Sequence, residues 1–163
     1  VTADLRAGST RFTVASTACH ATEQFMLERG TQGWEAVVVW IGHITGDGEA
    51  EVERAYVPEQ APLAHEDGIG VYIDGDAISR LILALEDDER VLARVHSHPT
   101  FAYHSATDDL NRLISHAGAI SIVVPYFARR GLRFEICSVN ELLPNQGWIE
   151  LALDDVLRRF TVR

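Results

Sequence analysis

The sequence predicts an α/β fold: a single compact domain with a mixed, curved β-sheet flanked by helices. Three observations lead there. The 163 residues suit one substantial core and are few for two. Period-2 and period-3.6 patterns alternate along the chain, in the order helix, paired strands, helix, strand, helix, strands, helix, and packing around one sheet satisfies that order. The run WEAVVVWIGHI, 34 to 44, is β-branched and too continuously apolar for an exposed edge, which predicts a central strand.

Residues 10 to 28 begin with strand-like alternation and pass into a helical pattern through Ala18, Thr22, Phe25 and Met26, punctuated by Gly30 and Gly33. After the central strand, GDG at 46 to 48 reads as a turn and EVERAYVP, 51 to 58, as the return strand ended by Pro58. Residues 58 to 68 read as a loop. Asp76 is placed to cap a helix over AISRLILALED, with Ile78, Leu81, Ile82 and Leu85 on one apolar face. RVLARVH, 90 to 96, is a strand. A helix follows over 106 to 116, turning Leu110, Leu113 and Ile114 inward, with Gly118 near its stop. AISIVVPYF, 119 to 127, and LRFEICSV, 132 to 139, are strands joined across ARRG, where Arg129 and Arg130 read as solvated turn charges. WIELALDDVLRRF, 148 to 160, is an amphipathic helix, anchored by Trp148 and packing on the domain within the last stretch, 141 to 163.

Bulk charge excludes one class of partner. With 24 acidic residues against 14 arginines and no lysine, the net charge of -10 opposes backbone-driven nucleic-acid binding. The excess is local, since 47 to 76 holds nine acids and one arginine, which reads as an ordinary solvated loop and strand-edge region or as a surface for a basic partner segment. No apolar run is long enough for a membrane span and no leader pattern opens the chain, so the expectation is a cytoplasmic protein that binds no membrane. Cys19 and Cys137 do not make a disulfide framework, and both read as small buried side chains rather than nucleophiles.

The chemistry concentrates in RVHSHPTFAYHSATDDL, 94 to 110. Residues two apart on a strand share a face, so His96 and His98 can converge on one ion while Ser97 points away, although HSH alone also suits a metal-free pair of strand-end histidines. Pro99 ends the ladder and sets the pair at the sheet's rim. Ser105 and Asp108 have the spacing of a helix N-cap and the acidic position three residues later. Two imidazoles, one carboxylate and an open fourth position match catalytic zinc. Asp109 is the alternative acid, better suited to the helix terminus or solvent. His104 is near enough to compete for metal or touch substrate, and Thr100 shares that loop. Glu35, an ionisable residue at the start of a buried strand, is the candidate base, because a carboxylate there is costly unless it meets a charge, a metal or water. His20, His43, His65 and His116 lack comparable spacing.

HSHP followed by SATD resembles the JAMM metallopeptidase motif of the JAB/MPN domain family, His-x-His-Pro, a spacer, then Ser-x-x-Asp. WEAVVVWIG resembles that family's early strand, in which the catalytic glutamate lies seven residues before a glycine, here Glu35 and Gly42. The resemblance spans roughly 12 to 140. It implies the layering of a cytidine-deaminase-like fold, one zinc ion held by His96, His98 and Asp108, Glu35 as general acid/base, and Ser105 as the donor to the oxyanion. One departure is visible: Thr100 to His104 gives five residues between Pro99 and Ser105, one fewer than the family usually carries.

The resemblance further implies a deubiquitinase-like isopeptidase that cuts after the glycine tail of a ubiquitin-like modifier. Its partners would be that modifier or its conjugate and E1- or E2-like conjugation proteins, since related bacterial domains are associated with such pathways. ARRG leaves little room for an insertion that grips a second modifier, so selectivity is expected from 45 to 75, from 99 to 104 or from a separate partner. Two other readings stay open: a silent MPN-type interaction module, and a zinc amidase acting on a small molecule. The absence of a Cys-x-x-Cys pair argues against a nucleobase deaminase.

Overall fold

A computed structural model of the chain describes residues 5 to 65, 68 to 105 and 113 to 163, and for His65 the backbone alone. The long apolar run forms β2 (Val37–Ile44), which is central as expected. It pairs antiparallel with β3 (Ala50–Tyr56) on one side and with β6 (Arg90–Ser97) on the other. The eight-stranded mixed sheet is completed by β1 (Phe12–Val14), β7 (Ile120–Val124), β8 (Ser138–Leu143), β9 (Gly147–Glu150) and β10 (Phe160–Val162), in the order β10-β1-β3-β2-β6-β7-β8-β9.

Helix α1 (Ser16–Thr31) lies on one face of this sheet. Its buried row is Ala18, Thr22, Met26 and Gly30, four apart throughout, as one side of a helix requires. Small residues in that row bring the helix close to β2, where the Trp40 Nε1 donates to the Thr22 Oγ1 at 2.9 Å. The Thr22 hydroxyl donates in turn to the Ala18 carbonyl, so no polar atom of that contact is wasted in the core. Phe12 stacks on Phe160, Phe134 lies tilted against Phe160, and all three join the same apolar cluster. Gly42 marks the bulge between β2 and β3. A Cβ there would sit 1.8 Å from the Glu51 carbonyl oxygen, so only glycine permits the two backbones to close.

Five expectations change. Residues 58 to 68 are not all loop: β4 (Ala61–His65) and β5 (Gly68–Tyr72) form a two-stranded sheet, and Pro62 is tolerated because each strand has a partner on one side only. Helix α2 is shorter, Gly75–Leu83, and its cap is Asp74, whose carboxylate accepts from the Ala77 N–H at 2.7 Å; Asp76 lies in the first turn. Leu81 and Ala77 are its buried contacts, whereas Ile82 is exposed. The stretch 119 to 127 stops being a strand at Pro125, and 132 to 137 holds a single 3-10 turn before β8. The helix expected over 106 to 116 lies mostly outside the described residues, and Leu113 to His116 are not helical. The final segment is strand β9, the short helix α3 (Leu153–Arg159) and strand β10 rather than one helix, because a turn with Asn145 at φ 62° pairs β9 back onto β8.

Candidate active site

Strand β6 carries the histidines to the rim. His96 pairs with Val37 of β2 and with Val123 of β7, so its backbone is held from both sides. Beyond it, Ser97 and Ala36 exchange two bonds. The Ser97 N–H donates to the Ala36 carbonyl and the Ala36 N–H donates to the Ser97 hydroxyl, both at 3.0 Å. The serine between the histidines therefore turns away, as expected, and its hydroxyl does the work of a missing carbonyl. One more step of the same register sets Glu35 across from His98, and residues opposed across an antiparallel ladder project to the same face. Glu35, His96 and His98 thus share one side of the sheet end. They are 9%, 3% and 4% exposed.

The imidazoles of His96 and His98 lie with centroids 5.1 Å apart at 61°, a separation across which two ring nitrogens can reach one ion. His98 is fixed further by its own backbone. Its N–H donates to the Val124 carbonyl at 2.9 Å, and its carbonyl accepts from the Phe127 N–H at 2.8 Å. The Thr100 carbonyl accepts from the Tyr126 N–H at 2.9 Å, which pins the exposed Pro99–Thr100 turn to the same segment. That segment is strained: Tyr126, Phe127 and Ala128 all occupy the left-handed region, at φ 57°, 52° and 61°. Such a run is costly for residues with side chains, and backbone strain of this kind clusters where geometry serves a site.

Four contributions escape a reading of the sequence. Gln60, in a segment that reads as solvent loop, donates from Nε2 to the Val37 carbonyl and accepts from the Val37 N–H, both at 2.8 Å, extending the ladder beside Glu35 with an amide in place of a strand. Arg94 shares the face of His96 and His98, is buried, donates from Nη2 to the Ser121 hydroxyl at 2.9 Å, and lies under the Trp148 ring. Trp148 therefore anchors the site's flank from β9 rather than a terminal helix, and its other neighbour is the His104 ring, 5.5 Å away. Tyr103 packs edge-on against His98 at 4.7 Å. Only the pattern of alternation on β6 hints at Arg94; nothing in the sequence signals Gln60.

Ser105 is half-buried at the end of a described stretch, and Asp108 lies outside the described residues, as does Asp109. The described residues alone do not assemble three metal-ligating groups. The pair that is described fits a borderline cation: two buried imidazoles at a rim, with a carboxylate across from them. Neither cysteine competes. Burial pushes the Cys137 thiol up to about 12 and that of Cys19 up to about 11, with Glu23 adding to the second, so both stay protonated and poorly nucleophilic.

No family model matches the chain. A curated relative does. Over 146 residues it is 32% identical to probable metalloprotease y4jG of Sinorhizobium fredii (strain NBRC 101917 / NGR234), an alignment covering 88% of this chain and 90% of the relative. The chain belongs to the family of probable metalloprotease y4jG. Two solved structures share the fold: protein DSY2949 from Desulfitobacterium hafniense, at TM-score 0.58 and 20% identity over 93% of this chain and 92% of that one, and a Salinibacter ruber (strain DSM 13855) protein, at TM-score 0.55 and 15% identity over 86% and 88%. No helix among the described residues of this y4jG-family chain is long and apolar enough to cross a membrane.

Proposed function

We propose that this protein is a zinc-dependent peptidase of the JAMM type that hydrolyses the amide bond after the glycine tail of a ubiquitin-like modifier. The observation that carries the reading is the pairing of two buried rim histidines with a carboxylate one register step away on the neighbouring strand. The family's curated relative, named a probable metalloprotease, supports the metal and the peptide chemistry.

His96, His98 and Asp108 would hold the ion, and zinc, when bound, supplies Lewis-acid polarisation of a carbonyl and a more acidic water. Glu35 takes a proton from the water that attacks the scissile carbonyl and returns it to the departing amine. Ser105 donates its hydroxyl to the oxyanion that develops on the former carbonyl. An extended tail would add to the small sheet of β4 and β5, whose strands each keep one edge unpaired among the described residues, and glycines would fit the narrow approach to the rim. The acidic stretch 47 to 76 favours a modifier tail that carries arginines, delivered by E1- or E2-like partners.

The test is intact-mass measurement after incubating zinc-loaded protein with candidate modifiers extended beyond their terminal glycines. Wild type should release the extension, while Glu35→Gln should keep stoichiometric zinc and release none. Zinc-replete wild type that cuts no extended modifier would overturn the substrate assignment, and loss of zinc from Glu35→Gln would overturn the role of Glu35.

A further inference from the structure

We propose that the side of the candidate site formed by Arg29, Arg129 and Arg130 is a recognition surface for an acidic segment of the polypeptide substrate. Each guanidinium lies over an aromatic ring: Arg29 over Trp34 at 4.7 Å, Arg130 over Tyr126 at 4.4 Å and Arg129 over Phe127 at 5.7 Å. Stacking fixes the plane of the cation in advance, the geometry in which arginine binds an anion at least entropic cost; Arg129 also gives one Nη2 bond, long at 3.4 Å, to the Gly30 carbonyl. None of the three is in an ion pair among the described residues. Six other arginines, Arg11, Arg54, Arg80, Arg158, Arg159 and Arg163, do pair with carboxylates.

Arg29 adds an independent observation. Its Nε and Nη2 are buried with no hydrogen-bond acceptor among the described residues, so no described carboxylate or carbonyl neutralises this cation. The three arginines also sit on the segments that bracket the proposed chemistry. Trp34 precedes Glu35, while Tyr126 and Phe127 donate their N–H groups to Thr100 and His98. A substrate chain crossing the rim at Glu35 and His98 would therefore pass this cationic face. The acidic whole-molecule field repels a long polyanion, so a short acidic peptide stretch fits and a nucleic acid does not. The inference rests on the substrate lying at the Glu35–His98 site, and its binding arm does not require turnover.

The experiment is NMR of the full chain with 15N-labelled arginine, titrated with tetraglutamate, tetraglutamine and oligothymidylate. Tetraglutamate should move the Nε signals of Arg29, Arg129 and Arg130, and the Arg129→Glu/Arg130→Glu variant, altered at exposed positions, should bind it at least about tenfold more weakly. Tetraglutamine should move none of them. Shifts spread evenly over all arginines, unchanged affinity in the variant, or equal response to oligothymidylate would each overturn the proposal. A glycine-extended substrate with glutamates rather than glutamines beyond the bond should be cut at least about tenfold faster by wild type and not by the variant. If nothing is cut while tetraglutamate still binds at the three arginines, it is the peptidase reading that fails.

Discussion

Gly30 of α1 and Phe127 of the strained turn approach so closely that a Cβ on Gly30 would lie 2.4 Å from the Phe127 Cβ. The contact couples the helix to the site, because the Phe127 N–H holds the His98 carbonyl. Gly30→Ala must displace a backbone already in the left-handed region rather than a flexible side-chain end. The expected cost is about 1–3 kcal/mol, the range for overpacking. Because the displaced group positions His98, zinc affinity should fall together with the denaturation midpoint. A destabilised Gly30→Ala protein with unchanged zinc affinity would show that the turn does not set the histidine.

Removal of either rim imidazole tests the ligand pair directly. His96→Ala and His98→Ala should each lower zinc affinity by more than about 100-fold, since loss of a group outside the coordination shell already costs about 10–100-fold. His43→Ala, which alters a histidine paired with Glu53 and Asp88, should leave the affinity unchanged. Metal content after gel filtration reads the difference. Chelation of the wild type should also lower its unfolding free energy by roughly the 2.7 kcal/mol that a ligand at 100 times its Kd supplies, seen as a lower melting temperature.

Much of this site is legible in the sequence because its parts are local. HSHP needs only the strand alternation of β6, and Glu35 needs only the start of an apolar run, so their shared face follows once β2 and β6 are neighbours. What is not legible depends on contacts distant in the chain. Tyr126 to Ala128 contain no glycine or asparagine to announce a left-handed turn; tertiary packing against Gly30 and His98 imposes it. Gln60 has the composition of a solvent loop, and only its encounter with Val37 gives it a place in the ladder. The last segment misleads for another reason. Leu153, Val156 and Leu157 have helical spacing that extends by eye to Trp148, but Leu142 draws Trp148 into a hairpin and Val14 draws Val162 into the opposite edge.

Acid should loosen the junction between α2 and β6. The Glu89 carboxylate is held at about 2, below its ordinary value of 4.5, chiefly by the Arg54 hydrogen bonds at 2.8 and 2.6 Å and further by the Glu86 N–H, with burial opposing both. A depressed carboxylate pKa contributes stability that is complete above the unfolded value and is lost as pH falls through the folded one. The loss therefore runs from about pH 4.5 to about pH 2. Glu89→Gln should lower stability at pH 7 by on the order of 1–2 kcal/mol, moderated by the partly exposed Arg54, and should flatten the acid limb of a stability profile. An acid limb of unchanged steepness in that variant would assign the effect to other carboxylates.

The ion pair between Arg159 and Glu141 should behave differently, because it is sealed from solvent. The two side chains are 3% and 1% exposed and joined by two bonds of 2.8 and 2.9 Å. Arg159 also donates from Nε to the Thr10 carbonyl, and Glu141 accepts from the Gly8 N–H, so the pair ties the chain's first segment to β8 and α3. Arg159→Met strands a buried carboxylate and should cost about 3–5 kcal/mol. Adding Glu141→Leu removes the stranded charge but leaves the Gly8 N–H without its acceptor, a cost of about 1–3 kcal/mol. The double variant should therefore be more stable than Arg159→Met alone, a reversal that urea denaturation of the two proteins would register. Equal or greater loss in the double variant would mean that packing of the Arg159 stem, rather than charge compensation, holds these elements together.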